Sequence, residues 1–397
     1  HEPSVGVIGN KGDSQCYLGV LDKVQSIHDV LRSRIGVADD KLKFRLVQPE
    51  FTVATSDGIR NGTKEMRYSL IGREITNDSL CEHLSASGLE GLIAVVACDK
   101  PPVGTISAVL EHNRPAIIMS DGSIRPGVDS VSGEAIDIIS SYQIAGSDDE
   151  GLKRRIAMES CPGFGSCGGM FTYNTMQTFL GVLGMEPLHM VAPASQDQRR
   201  QDTFPEQLVD YLANLISKNI TPRDIVTSGS IRNAIIVSMS VGGSTNVMLH
   251  APEIARAAGY ADFYKDIMSV EEFNHLSESA EFLSVSEHSS MELLHLVSAL
   301  VPLKKSNFQL ATNLVKRSLL SGCWSFPADV FFHLCLQDIY SFFNSGLAWV
   351  ALTHSFVIPL HAREICPQFV PLRGAFCLLC QIIDQILSRI KVSWFHM

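Results

Sequence analysis

Three cysteines stand beside acidic residues or glycines in a way that points to metal chemistry. They lie in Gly12-Asp13-Ser14-Gln15-Cys16, Ala97-Cys98-Asp99-Lys100 and Gly165-Ser166-Cys167-Gly168-Gly169. None forms a CxxC pair, whereas structural zinc sites normally take closely spaced cysteine pairs. Thiolates gathered by the fold could instead hold an iron–sulfur cluster with one iron left open. The alternative is that each is a buried free cysteine, since this small residue is commonly buried.

Two carboxylates suggest a second kind of site. Ser56-Asp57-Gly58-Ile59 predicts a turn that exposes Asp57, and Asp99 directly follows Cys98. Magnesium takes few protein oxygens and completes its shell with water or substrate oxygens, so a sparse pair is adequate. The competing interpretation is that Asp57 caps a turn and Asp99 caps a helix, with Lys100 as a solvated lysine.

Two glycine-rich segments could bring the backbone close to a ligand. One covers residues 161–169. The other is Gly242-Gly243-Ser244-Thr245-Asn246, which opens a helix predicted over Val247 to Ala258 whose free N–H groups could receive a carboxylate. Neither matches a phosphate loop or a dinucleotide-binding fingerprint. Each could equally be a tight turn between packed elements.

The elements that must position these residues follow an α/β pattern up to about residue 322. Apolar runs at Val5 to Ile8, Leu92 to Val96 and Ala116 to Met119 alternate with helical periodicity, as in Phe171 to Leu183. Mostly parallel strands joined by helices are therefore expected. Two further helix starts are predicted, at Thr221-Pro222-Arg223-Asp224 and at Ser269-Val270-Glu271-Glu272.

The composition changes after residue 322. All three tryptophans, Trp324, Trp349 and Trp394, fall in residues 323–397. We predict one domain over residues 1–322 and a hydrophobic, aromatic-rich tail over residues 323–397 without a native fold. A buried helical appendage is an alternative, and so is a membrane span at Leu347 to Leu360, although that run is short for one.

Charge and cysteine usage bear on the partners and on the compartment. The net charge is −10 and the densest basic cluster is Lys153 to Arg155, which argues against nucleic-acid binding. Ten cysteines without dense, regular spacing do not form a disulfide scaffold, so an intracellular location is expected. Mitochondrial, plastid and cytoplasmic locations are not distinguished. An apolar run follows His1 almost at once, so any targeting segment is expected to be missing.

Taken together, these segments resemble the dihydroxy-acid dehydratase and 6-phosphogluconate dehydratase family from about residue 4 to residue 280. The pieces that carry the resemblance are Ser56-Asp57-Gly58-Ile59, Met66-Arg67-Tyr68-Ser69-Leu70, Arg73-Glu74, Cys98-Asp99-Lys100, Cys161-Pro162-Gly163, Cys167-Gly168-Gly169-Met170, Asn174-Thr175-Met176 and Gly242-Gly243-Ser244-Thr245-Asn246. The resemblance implies a layered α/β/α amino-terminal domain. The family's carboxy-terminal β-rich domain, with its serine base and a magnesium-binding glutamate, is expected to be absent.

The resemblance also implies roles for individual residues. Cys16, Cys98 and Cys167 would ligate a [2Fe–2S] or [4Fe–4S] cluster. Asp57 and Asp99 would bind magnesium, and Lys100 would be carbamylated to become a further magnesium ligand. Gly242, Gly243, Ser244, Thr245 and Asn246 would shape the substrate pocket.

The implied activity is dehydration of 2,3-dihydroxy-3-methyl carboxylic acids to 2-oxo acids in valine and isoleucine biosynthesis. A homodimer acting on a small-molecule dihydroxy acid, away from nucleic acid and membranes, is expected. The alternatives are a sugar-acid or 6-phosphogluconate dehydratase, a catalytically inactive cluster-binding fragment, and a truncated product that does not fold stably. Cys161-Pro162-Gly163 and the run from Met66 to Leu70 fit the branched-chain enzyme better.

Overall fold

A computed structural model describes residues 2–12, 14–35 and 43–279 of the chain, and these form alternating strands and helices. The strands are β1 (Ser4–Lys11), β2 (Arg45–Leu46), β3 (Glu50–Val53), β4 (Gly91–Val96), β5 (Ala116–Ser120), β6 (Gly127–Val128) and β7 (Ala135–Ile136). The helices are α1 (Val20–Arg34), α2 (Asp57–Arg60), α3 (Ser69–Ser87), α4 (Lys100–His112), α5 (Ile138–Gln143), α6 (Glu150–Glu159), α7 (Thr172–Leu183), α8 (Leu188–Val191), α9 (Arg199–Asp202), α10 (Phe204–Ser217), α11 (Pro222–Ile225), α12 (Ser228–Ser240), α13 (Val247–Ala258), α14 (Phe263–Asp266) and α15 (Val270–Ser279). The tail predicted over residues 323–397, with its possible span at Leu347 to Leu360, lies outside the described residues.

The central sheet is parallel, as the sequence predicts. Its strands follow the order β2-β1-β4-β5, and β3 pairs with the far end of β1 beyond β2. All of these pairings are parallel, and the short β6–β7 pair is a separate antiparallel unit. The predicted strands at Val5 to Ile8, Leu92 to Val96 and Ala116 to Met119 are confirmed as β1, β4 and β5.

Side chains along β4 alternate between two hydrophobic cores. Leu92, Ala94 and Val96 join the core that contains α3, α4, α7 and α13. Ile93 and Val95 face the opposite core, formed with α1 and α10. A strand that buries both of its faces gives a continuous apolar run in the sequence, because successive side chains point to opposite sides. The layered α/β/α arrangement with mostly parallel strands is confirmed.

The helix boundaries follow local signals. Thr221 and Asp224 form a capping box at the start of α11, with Pro222 at the first helical position. The hydroxyl of Ser269 accepts a 3.1 Å hydrogen bond from the Glu272 amide at the start of α15. These bonds satisfy amide groups that the first turn of a helix leaves unpaired. Both predicted starts are confirmed.

None of the helices within the described residues is long and apolar enough to cross a membrane.

Candidate metal centre

The carboxyl ends of neighbouring parallel strands collect most of the predicted site residues. Cys16 follows β1, Asp57 follows β3, and Cys98, Asp99 and Lys100 follow β4. In open α/β sheets, ligands bind beyond the carboxyl ends of the strands, because loops from adjacent strands meet there. The topology therefore brings together residues that are far apart in the sequence, such as Cys16 and Lys100, which are separated by 84 positions.

The hydroxyl of Ser56 lies between two of the three thiols. Its oxygen is 3.6 Å from the Cys16 sulfur and 3.7 Å from the Cys98 sulfur. Ser56 is itself held as the N-cap of α2, where it accepts a 3.1 Å hydrogen bond from the Gly58 amide. Cys16 and Cys98 thus converge on one fixed point.

Cys98 is held in an unusual backbone conformation. Its φ angle is 63°, in the left-handed region that residues with a side chain rarely adopt. Its amide donates a 2.9 Å hydrogen bond to the hydroxyl of Ser166. Strain of this kind persists only where the surroundings determine the conformation, and it is common at functional sites.

The loop that carries Cys167 is joined to the strand end after β5. The Ser166 amide donates to the Gly122 carbonyl, and the Ile124 amide donates to the Ser166 carbonyl. At Gly165, φ is 138° and an added Cβ would lie 2.6 Å from the Ile124 nitrogen, so only glycine fits. This packing holds the loop that carries Cys167 beside the residues that follow β5 and, through the Ser166 hydroxyl, beside the Cys98 amide.

The carboxylates and Lys100 form a compact ionic group. Lys100 Nζ donates to Asp57 Oδ2 at 2.8 Å and to Asp99 Oδ2 at 3.0 Å. The hydroxyl of Ser69 also donates to Asp57 Oδ2. All three charged residues have little solvent access, and the side chains of Asp57 and Lys100 are 11% and 7% exposed.

Three local expectations need correction. Asp57 is buried in the first turn of α2 and is not exposed. Ser56 caps this helix, and the Asp57 carboxylate contacts Lys100. Asp99 occupies the N-cap position of α4, yet its side chain makes no capping bond there. Lys100 is buried rather than solvated, since the two carboxylates neutralise its charge inside the protein.

Hydrogen bonding and burial lower the pKa of one of the three thiols and raise the pKa values of the other two. A hydrogen bond from Cys98 holds the pKa of Cys16 below its ordinary value, although burial opposes it. The same bond, together with burial, raises the pKa of Cys98 well above its ordinary value. Burial, followed by the charge of Cys98, raises the pKa of Cys167 to about 12. Cys16 is therefore the thiol of this group that ionises most readily.

The pKa values of the two carboxyl groups are shifted in opposite directions. Burial, followed by the charge of Cys98, raises the pKa of Asp99 to about 9. Burial alone would raise the pKa of Asp57, but hydrogen bonds with Asp99, Lys100 and Ser69 hold it below its ordinary value. A bound cation favours the ionised forms of thiol and carboxyl groups. This group of thiols and carboxyl groups therefore suits the binding of metal ions.

The donor types fit the two groups implied by the family resemblance. Asp57 Oδ1 is buried without a hydrogen-bond partner in the described part of the chain, so one carboxylate oxygen remains available as a ligand. Thiolates suit iron and carboxylates suit magnesium. Across residues 2–12, 14–35 and 43–279, however, no three His, Cys, Asp or Glu side chains are already arranged to hold a metal ion. The ligand assignments stay predictions.

The predicted pocket segment at Gly242 to Asn246 packs against the start of α7. The Ser244 amide donates to the Thr175 hydroxyl at 2.8 Å, and Asn246 Nδ2 donates to the Thr172 hydroxyl at 2.8 Å. Because α7 begins soon after Cys167, the segment lies next to the loop that carries the third thiol. Contact between this segment and the substrate remains a prediction.

Sequence reasoning missed the hydroxyl groups that organise the site. Ser56, Ser69 and Ser166 each contact a predicted ligand or its backbone. The helix-capping signal of Ser56 in Ser56-Asp57-Gly58 could have been recognised. Ser166 gives no comparable signal, because its partner is 68 residues away in sequence.

The family model and the similar proteins indicate the same family. The family described as "Dihydroxy-acid/6-phosphogluconate dehydratase N-terminal" matches residues 37–293, which is more than half of the chain and begins after Cys16. A dihydroxy-acid dehydratase of Nostoc sp. is 40% identical over 213 residues, covering 52% of this chain and 37% of the relative. One from Prochlorococcus marinus (strain MIT 9515) is 35% identical over 299 residues, covering 73% and 51%.

The chain spans only part of these relatives, from 37% to 51% of their length. The matched range includes the strand ends that carry Asp57, Cys98, Asp99 and Lys100, and the loop that carries Cys167. The chain therefore belongs to the dihydroxy-acid/6-phosphogluconate dehydratase family through its amino-terminal domain.

Proposed function

We propose that this chain is the amino-terminal part of an iron–sulfur hydro-lyase that dehydrates 2,3-dihydroxy-3-methyl carboxylic acids to 2-oxo acids, as in valine and isoleucine biosynthesis. The observation that carries the proposal is the convergence of sulfur donors at Ser56 and of carboxylates at Lys100, on one edge of the sheet. Relatives named dihydroxy-acid dehydratase support the same reaction.

The reaction needs a proton removed from C2 and a hydroxyl expelled from C3. An iron–sulfur cluster would supply a Lewis acid for the leaving hydroxyl, and Mg²⁺ would polarise the carboxylate and the 2-hydroxyl. Cys16, Cys98 and Cys167 would hold the cluster. Asp57 and Asp99 would hold the magnesium ion.

Lys100 has two roles in this proposal. As an ammonium it holds both carboxylates, at 2.8 Å and 3.0 Å, in one place. Carbamylation, implied by the family resemblance, would replace the positive charge with an anion and make Lys100 a further magnesium ligand. The same resemblance assigns the base that removes the C2 proton to a serine of the carboxy-terminal domain. An assay of this chain alone therefore tests whether it turns over substrate without that serine.

A cleft beside Lys100 is a candidate position for the substrate. Its volume is about 200 Å³, which suits a small metabolite. Its lining includes the apolar side chains of Val53, Ile71 and Ile75 and polar side chains such as that of Arg60. A branched alkyl group would gain by covering the three apolar side chains, which are partly exposed.

Substitution in the cleft tests the substrate class. Val53→Ser should weaken binding of 2,3-dihydroxyisovalerate to the chain reconstituted with iron, sulfide and magnesium, by roughly fourfold for each buried methyl group lost. Val131→Ser is the control, because Val131 is similarly exposed and does not line the cleft. Tighter binding of gluconate or 6-phosphogluconate than of dihydroxyisovalerate would favour a sugar-acid dehydratase instead.

Anaerobic reconstitution separates the proposed enzyme from an inactive fragment and from an unstable product. The chain is loaded with iron and sulfide, its visible spectrum is recorded, and dehydration of dihydroxyisovalerate is measured. Colour with turnover supports the enzyme. Colour without turnover supports a cluster-binding fragment, and insoluble, colourless protein supports a truncated product that does not fold stably. A homodimer and an intracellular location stay predictions beside this proposal.

A further inference from the structure

The hydroxyl of Tyr17 is buried and makes no hydrogen bond of regular geometry in the described part of the chain. The residue as a whole is 3% exposed. A buried hydroxyl without a well-formed hydrogen bond is unfavourable, so each one in a folded protein calls for an explanation. A partner that binds at the site would supply one.

The Tyr17 ring is fixed in the immediate neighbourhood of the thiols. It packs in the same hydrophobic cluster as Cys98, with Cys16 against that cluster. An added Cβ on Gly12 would lie 2.5 Å from the ring, so the glycine provides the space that the ring fills. The Tyr17 amide also donates to the Ser14 carbonyl at 2.9 Å, which fixes the backbone beside Cys16.

The phenol lies beside predicted sulfur ligands. Tyr17 directly follows Cys16 in the chain. Its hydroxyl interacts with the Cys98 side chain, although that contact is not a hydrogen bond of regular geometry. A phenol hydroxyl donates hydrogen bonds and sulfur accepts them, so the donor is placed beside the sulfurs that would hold the cluster.

We propose that Tyr17 donates a hydrogen bond to a cysteine sulfur of the cluster held by Cys16, Cys98 and Cys167, and thereby raises the reduction potential of that cluster. The proposal rests on the cluster of the proposed function. Hydrogen bonds to ligating sulfurs withdraw electron density from the iron, which is one of the means by which proteins set cluster potentials. Tyr17 is a positioning residue in this account and not a ligand.

Tyr17→Phe removes the donor and keeps the ring. The full chain, Tyr17→Phe and Tyr260→Phe are each reconstituted anaerobically, and iron content, visible spectrum and midpoint potential are measured. Tyr260 is the control because its hydroxyl accepts from the Ser228 amide at 2.8 Å, away from the thiols. We expect Tyr17→Phe to keep its iron, to shift its sulfur-to-iron absorption bands and to have a lower midpoint potential, with Tyr260→Phe unchanged.

An unchanged potential in Tyr17→Phe would overturn the proposal, and so would loss of the cluster from a variant that still folds, since that would make Tyr17 a structural support. A wild-type chain that binds no cluster would instead refute the proposed function itself.

If Tyr17→Phe does not fold, 3-fluorotyrosine labelling keeps every ring and makes the phenol a stronger donor. The labelling is done in a Tyr142→Phe background, because Tyr142 lies near Cys167. The midpoint potential should then rise, and a constant potential would contradict the proposal.

Discussion

The amide of Cys98 donates a 2.9 Å hydrogen bond to the hydroxyl of Ser166, the residue that precedes Cys167. Both residues are buried. This bond links the strand end after β4 to the loop that carries the third predicted cluster ligand. It also accounts for part of the support that Cys98 needs in its left-handed conformation.

Ser166→Ala should destabilise the protein. The substitution leaves the Cys98 amide buried without an acceptor, which costs about 1–3 kcal/mol of unfolding free energy. Urea denaturation measures the change. Ser217→Ala is the control, because the Ser217 hydroxyl is exposed and bonds only within its own helix end, so its effect should stay within about 0.5 kcal/mol. Equal unfolding midpoints for the two variants would show that the bond does not support Cys98.

A buried ion pair fixes the strand end after β5. Lys23 Nζ donates to Asp121 Oδ1 at 2.5 Å, and both side chains are fully buried. Ser195 also bonds to both partners. Lys23→Met leaves Asp121 as an uncompensated buried charge and should cost about 3–5 kcal/mol.

The double variant Lys23→Met/Asp121→Asn should recover part of that loss, because the asparagine is neutral and keeps an oxygen for the Ser195 hydroxyl. Denaturant unfolding of both variants gives the part of the loss that neutralising Asp121 recovers. Arg32→Met, on the exposed side of α1, provides the control. If Lys23→Met were no worse than Arg32→Met, the pair would not stabilise the fold.

Glu186 should make stability depend on pH. Burial raises the pKa of this carboxyl from 4.5 to about 7, although hydrogen bonds from Ser120 oppose the shift. Because the folded state disfavours the ionised form, the stabilisation is complete below pH 4.5 and is lost as pH rises to about 7. The loss within that window is at most about 1.4 kcal/mol per pH unit.

Glu186→Gln has no charge to bury and should remove this contribution. Its unfolding free energy, compared with that of the unchanged protein at several pH values across the window, should fall less steeply. Parallel curves for the two proteins would mean that Glu186 ionises as easily in the folded state as in the unfolded chain.

The sheet could be predicted from the sequence because its signals are local. The run from Leu92 to Val96 is apolar at every position, which is typical of a strand buried on both faces. The capping box at Thr221 needs only a partner three residues away. The mostly parallel sheet then follows from the α/β pattern, whereas the order of its strands does not.

The polar contacts that hold the site could not be predicted from the sequence. Lys23 is a lysine on a helix, for which a solvated position is the ordinary expectation, and its partner Asp121 is 98 residues away. The turn signal around Asp57 predicts a surface position, because it says nothing of what packs over the turn. Such contacts depend on tertiary packing and leave no periodic pattern.

Cluster binding by a thiol-to-hydroxyl variant tests the central claim most directly. Cys98→Ser and Cys81→Ser are reconstituted side by side under anaerobic conditions, and bound iron and sulfide are counted. Cys81 is the matched control, because its sulfur lies on α3 near Glu111. The account predicts that Cys98→Ser loses the cluster while Cys81→Ser retains it. A full complement of iron and sulfide in Cys98→Ser would contradict it.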